Sequence, residues 1–171
     1  MTSILKWLAT LWAYAGGICL LAIVLVTTAN VGAFGLDRIA ALWGTDVSGL
    51  SGYEDFVRLT ISVAALMFFP YCQSQRGHVK VDLFTDRAPR KVNRALDALW
   101  LLITVVTAMF LAYWMWFGML ESRADGQLSR VLGWPEWPFY APGIFSLLLW
   151  ALVAVAQLFE RDLPTAETSR G

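Results

Sequence analysis

The stretch Arg76-Gly77-His78-Val79-Lys80-Val81-Asp82-Leu83-Phe84-Thr85-Asp86-Arg87-Ala88-Pro89-Arg90-Lys91-Val92-Asn93-Arg94 holds six of the chain's thirteen Lys and Arg residues. An uncharged apolar run lies on each side of it, residues 59–75 before and 98–120 after. A basic cluster between two apolar runs marks the cytoplasmic connection of a membrane protein, because Lys and Arg resist translocation and so set orientation. Elsewhere the basic residues are thinly spread and the formal net charge is zero, which leaves a nucleic-acid role without electrostatic support.

Two further uncharged runs lie outward of these, at residues 7–36 and 137–159. With 58% hydrophobic and 15% charged residues among 171, the chain is too apolar for an ordinary soluble domain and short enough to form one domain. A bilayer core needs about 20 apolar helical residues to cross. The runs are apolar on every face, whereas barrel strands alternate, so backbone groups in lipid must be satisfied within helices. The expectation is an all-α integral membrane protein, a single domain of four transmembrane helices near 8–33, 54–75, 92–120 and 138–159. The first run exceeds the ~7 to 15 residues of a signal core and shows no small-residue cleavage site, so it reads as an uncleaved helix.

Between the first two spans, Gly35, Gly44, Gly49 and Gly52 with Asp37, Arg38 and Asp46 suit turns, with a short surface helix over 38–43. Glu54 and Arg58 lie one helical turn apart at the start of the second span, where an ion pair can form and Arg58 can snorkel toward headgroups. Pro70 is placed to kink that span. Val79, Leu83 and Phe84 share one helical face, which suits a short amphipathic arm in the headgroup plane. Trp7, Trp12, Trp100, Trp114, Trp116, Trp134, Trp137 and Tyr140 read as an aromatic belt. Pro142 requires the last helix to begin late or to bend.

Counting Lys and Arg on alternate sides puts nine with the two termini and the second connection, against four on the other face. Both termini are therefore expected in the cytoplasm. No Asp, Glu, Lys, Arg or His lies deep in any span, whereas membrane proteins that move ions by themselves usually need such a group inside the bundle. Hydroxyls such as Thr27, Thr28, Thr60 and Thr104 leave a neutral site open. The lone His78 lies outside the spans, so axial haem ligation has no support. Cys19 and Cys72 are isolated and read as small buried apolar residues. No catalytic, cofactor-binding or metal-ligating set is expected.

The run Arg76-Gly77-His78-Val79-Lys80-Val81-Asp82-Leu83, just after a second span, closely resembles the signature of the small membrane subunit, DctQ type, of tripartite ATP-independent periplasmic (TRAP) transporters. Length, four spans, internal termini, Glu54 opening the second helix and the aromatic and proline residues Trp137, Pro138, Tyr140 and Pro142 leading into the fourth look like the same family. The connection over 35–52 looks longer than in many relatives.

The resemblance implies an accessory subunit in the bacterial inner membrane, without cofactors. Its partners would be a large membrane subunit that carries substrate and sodium sites, a periplasmic binding protein that delivers an organic anion such as a carboxylate, and membrane lipids. Arg76, Gly77, His78, Val81 and Asp82, with Glu54 and Arg58, are then the candidate partner-interface residues. Arg87, Arg90, Lys91 and Arg94 are candidates for lipid headgroups and topology. The small residues Ala13, Ala15, Gly16 and Gly17 could allow close helix approach, to the partner or within the bundle. A membrane scaffold unrelated to transport, and a small autonomous carrier or channel, remain as alternatives.

Overall fold

The apolar runs form four helical segments long and apolar enough to cross a bilayer, and among the described residues no β-strand forms. The computed structural model describes residues 3–44, 49–75 and 90–160, without the side chains of residues 43, 90, 91 and 94. The amphipathic arm expected between the second and third spans lies outside the described residues.

Helix α1 runs Ser3–Ala40, overrunning the expected 8–33 at both ends. At 1.5 Å per residue it is about 57 Å long, nearly twice the ~30 Å hydrocarbon core. Gly35, Asp37 and Arg38, expected in a connection, continue the helix. An isolated glycine costs only ~1 kcal/mol in a helix, and Arg38 in the last turn suits the negative end of the helix dipole. The expected surface helix over 38–43 is therefore no separate element. Ala41–Trp43 tightens into a 3₁₀ turn, and Gly44 ends it in the left-handed region at φ 70°.

The second span comes in two pieces, α2 (Tyr53–Met67) and α3 (Phe69–Ser74). Pro70 lacks the N–H that would bond the carbonyl four residues back, so the ladder breaks where the sequence placed a kink. At the junction, Phe68 N–H falls back on Ala65 O at 3.4 Å. Helix α4 (Arg90–Ala124) exceeds the expected 92–120. A 3₁₀ turn, Trp137–Phe139, leads into α5 (Tyr140–Glu160), two residues later than the expected 138. This late start resolves Pro142, which falls in the first turn where its missing N–H has no intrahelical acceptor.

The segments stand in a row. Helix α1 lies on α2 and α3, these lie on α5, and α5 lies on α4; α1 meets α5 only marginally and its backbone does not approach α4. Central α5 buries Leu147, Leu149, Ala151, Val153 and Ala154. The edge helices leave broad apolar faces open, including Leu21, Val24 and Leu25 on α1 and Val106, Phe110 and Tyr113 on α4. Gly16 brings α1 onto α2, where an added Cβ would stand 3.0 Å from Met67 Cβ, whereas Gly17 faces open space. Of the small residues singled out in α1, Gly16 thus serves contact within the bundle. Trp12, expected in the headgroup belt, turns inward instead. Its Nε1 donates to Ser146 Oγ at 2.7 Å, and its ring meets Phe145 edge-on.

Candidate functional site

The two connections at one end of the row are fastened to helices by polar side chains. Gly52 precedes α2 at φ 84°, and its carbonyl accepts Asp55 N–H at 3.1 Å and Phe56 N–H at 3.3 Å. A Cβ at Gly52 would lie 2.6 Å from Leu132, so backbone angle and close approach both require glycine there. This turn places Asp55 in the first turn of α2, where negative charge suits the helix dipole. Its buried carboxylate accepts Val131 N–H at 2.7 Å and Leu132 N–H at 3.1 Å from the α4–α5 connection.

That connection is itself folded. Ser129 N–H donates to Trp134 O at 2.8 Å, Trp134 N–H to Ser129 Oγ at 3.1 Å, and Glu136 N–H to Gln127 O at 3.1 Å. Trp134 meets Phe56 edge-on and stacks with Phe139, while the Arg123 guanidinium lies 5.1 Å from the Trp137 ring centroid. The α1–α2 connection is held by Asn30, buried in α1, whose Oδ1 accepts Leu50 N–H at 2.9 Å.

Arg58 pairs with Glu136 at the end of the α4–α5 connection, and not with Glu54 as expected from spacing along the helix. Glu54 is exposed, and among the described residues its carboxylate accepts from the Tyr53 hydroxyl, at 3.4 Å. The reason is tertiary: Asp55 fastens the connection across α2, which brings Glu136 to Arg58. Below the pair, Leu59, Ser62, Val63, Met115, Phe139 and Tyr140 line a groove of about 240 Å³ between α2, α4 and the start of α5.

At the other end, Gln73 of α3 and Gln157 of α5, both buried, clamp the two segments. Gln73 Nε2 donates to Gln157 Oε1 at 2.7 Å, Gln157 Nε2 to the Gln73 carbonyl at 2.6 Å, and Trp150 Nε1 to Gln73 Oε1 at 3.2 Å. Amides away from water are costly unless bonded, and these satisfy one another. The clamp closes the span three residues before Arg76.

Arg76, Gly77, His78, Val81, Asp82 and Arg87 lie outside the described residues, as do the side chains of Arg90, Lys91 and Arg94. Of the hydroxyls left open as a neutral site, Thr104 donates to Trp100 O within α4, at 2.9 Å, and Thr60 is buried on α2; Cys72, expected to be buried, is exposed, and Cys19 is half-buried. Sequence reasoning missed Asp55, Asn30, Ser129, Glu136, Gln73 and Gln157. A signal existed for Asn30, the only amide side chain in the run 7–36. Polar groups in such runs need partners.

These features define a class, a multi-pass helical membrane protein whose buried polar groups hold its own segments and connections together. Among the described residues Asp55 is the only buried charged side chain, and loop amides occupy it. The family model described as "Tripartite ATP-independent periplasmic transporters, DctQ component" matches residues 45–163, from before α2 to the end of α5, and the chain belongs to that family. Neither curated proteins nor solved structures give a significant match. The chain is thus a membrane component of a three-part transporter family.

Proposed function

We propose that this chain is the accessory membrane subunit of a sodium-coupled, binding-protein-dependent transporter for an organic anion, where it packs against and anchors the large transport subunit. Family membership over residues 45–163 is the observation that carries this reading. The charge-free depths of the spans support it, since coupling ions then find their ligands in the partner. The open apolar faces of α1 and α4 at the two edges of the row give a large subunit surface to pack on. On this reading the anchor widens the fixed frame against which the transporting domain moves.

Both termini and the connection over 76–94 then lie in the cytoplasm of a bacterium, and the face with Asp55 and Glu136 lies in the periplasm, where the binding protein docks. On this reading Arg76, Gly77, His78, Val81 and Asp82, with Glu54 and Arg58, are the partner-interface residues, and the run from Gly77 to Asp82 serves as a corner between the second span, the third and the large subunit. Arg87, Arg90, Lys91 and Arg94 meet anionic headgroups, each worth about 1 kcal/mol near a charged surface.

Reconstitution tests the assignment. The purified chain in liposomes should give no sodium-dependent uptake, whereas its deletion should abolish uptake by the assembled system. Robust uptake by the chain alone would sink the reading.

A further inference from the structure

The groove beneath Arg58 and Glu136 has two chemical zones. Its floor is mostly apolar, made by Leu59 and Val63 of α2, Met115 of α4 and Phe139, while its lip carries a guanidinium and a carboxylate. Amphiphiles have the same division. The backbones of α2 and α4 do not approach each other, since α5 lies between them, and the groove runs over the start of α5.

We propose that this groove binds one glycerophospholipid with a phosphoethanolamine headgroup, an acyl chain along Leu59, Val63 and Met115 and the headgroup at Arg58 and Glu136. Charge supports this occupant. The lip offers one positive and one negative group, matching a phosphate and an ammonium, and Arg forms strong charge-assisted bonds to phosphate. The Arg58 side chain is 56% exposed and that of Glu136 18%, so the guanidinium can turn to a phosphate at little cost while the half-buried carboxylate stays at the lip. Level supports it as well. Trp134, Trp137 and Tyr140 flank Glu136, and amphipathic aromatic rings gather at headgroup depth. An apolar helix of a partner would strip water from both charges, at a desolvation cost that a polar headgroup avoids. The proposal is independent of the transport assignment.

The test uses the full chain, purified in detergent, delipidated and titrated with defined lipids under native mass spectrometry. One phosphatidylethanolamine should be retained in preference to diacylglycerol, which lacks the headgroup, and to phosphatidylglycerol, which lacks the ammonium. Arg58→Gln should weaken retention by roughly tenfold or more, as expected for losing a charged hydrogen-bond donor. Ser62→Trp, which fills the floor, should abolish it, whereas Val24→Trp on the open face of α1 should leave it unchanged. If Ser62→Trp does not fold, as judged by helical circular dichroism, Arg58→Gln at its exposed position still decides. Equal retention of diacylglycerol, equal retention of phosphatidylglycerol, or wild-type retention by Arg58→Gln overturns the proposal. In cells, a photoreactive residue at Met115 should yield a phospholipid adduct; a protein adduct there would mean that a partner helix occupies the groove, and would overturn it.

Discussion

The carboxylate of Asp55, in the first turn of α2, accepts the backbone amide of Val131 at 2.7 Å across 76 residues of sequence. With Leu132 as second donor, this contact joins the second span to the connection between the third and fourth. An acid at this position therefore acts as an anchor for a loop, with its acceptor capacity directed at two amides.

Asp55→Ala should loosen that connection without unfolding the helices. Arg130 then becomes a cleavage site, so limited trypsin digestion of the purified protein should cut there several-fold faster than in wild type. Helical circular dichroism should change little. Unaltered cleavage kinetics would mean that Ser129 and the local backbone bonds hold the connection by themselves.

Gln157→Leu should destabilise the bundle by about 1–3 kcal/mol, because it removes the acceptor of Gln73 Nε2 and a donor to the Gln73 carbonyl. Gln73→Leu combined with Gln157→Leu should cost less than the sum of the single changes, with a coupling of about 0.5 kcal/mol or more. Unfolding in detergent measures all three variants. Strict additivity would show that the amides act independently.

Two glycines should respond oppositely. Gly52→Ala combines φ 84° with a 2.6 Å approach to Leu132, and should cost about 1–3 kcal/mol. Gly17→Ala meets no atom within 4 Å and sits inside α1, so it should be neutral or raise stability by up to ~1 kcal/mol. Thermal denaturation of the isolated chain compares them; equal losses would contradict the packing of α1 and the turn before α2.

Orientation is checked by single cysteines at Lys80 and Ser51 with Cys19 and Cys72 replaced. An impermeant thiol reagent added to intact spheroplasts should label position 51 and spare position 80. The reverse pattern would invert the topology.

If the run from Gly77 to Asp82 forms the proposed corner, His78→Ala and Asp82→Ala should each lower recovery of the large subunit in pull-downs. Asp86→Ala, a nearby acid outside the motif, should matter little. Wild-type recovery, uptake and thermal stability in both motif variants would remove the corner from the account.

The sequence by itself determined the class and the family. Lipid demands long uncharged runs and helical backbone satisfaction, so four spans stand out in composition alone. The run from Arg76 to Leu83 points to the family that the match over residues 45–163 shows. Pro70 marked the break between α2 and α3 because a missing N–H is a local property. Only the tertiary structure decided that Arg58 pairs with Glu136 and not Glu54, that Asp55 anchors a distant loop, that Trp12 bonds Ser146, and that Gly16, not Gly17, meets α2. A helix apolar on every face gives no periodicity to say which side is inward. These partners also lie 76 to 134 residues apart, except for Gly16 and α2, so the order of helices in the row brings them together.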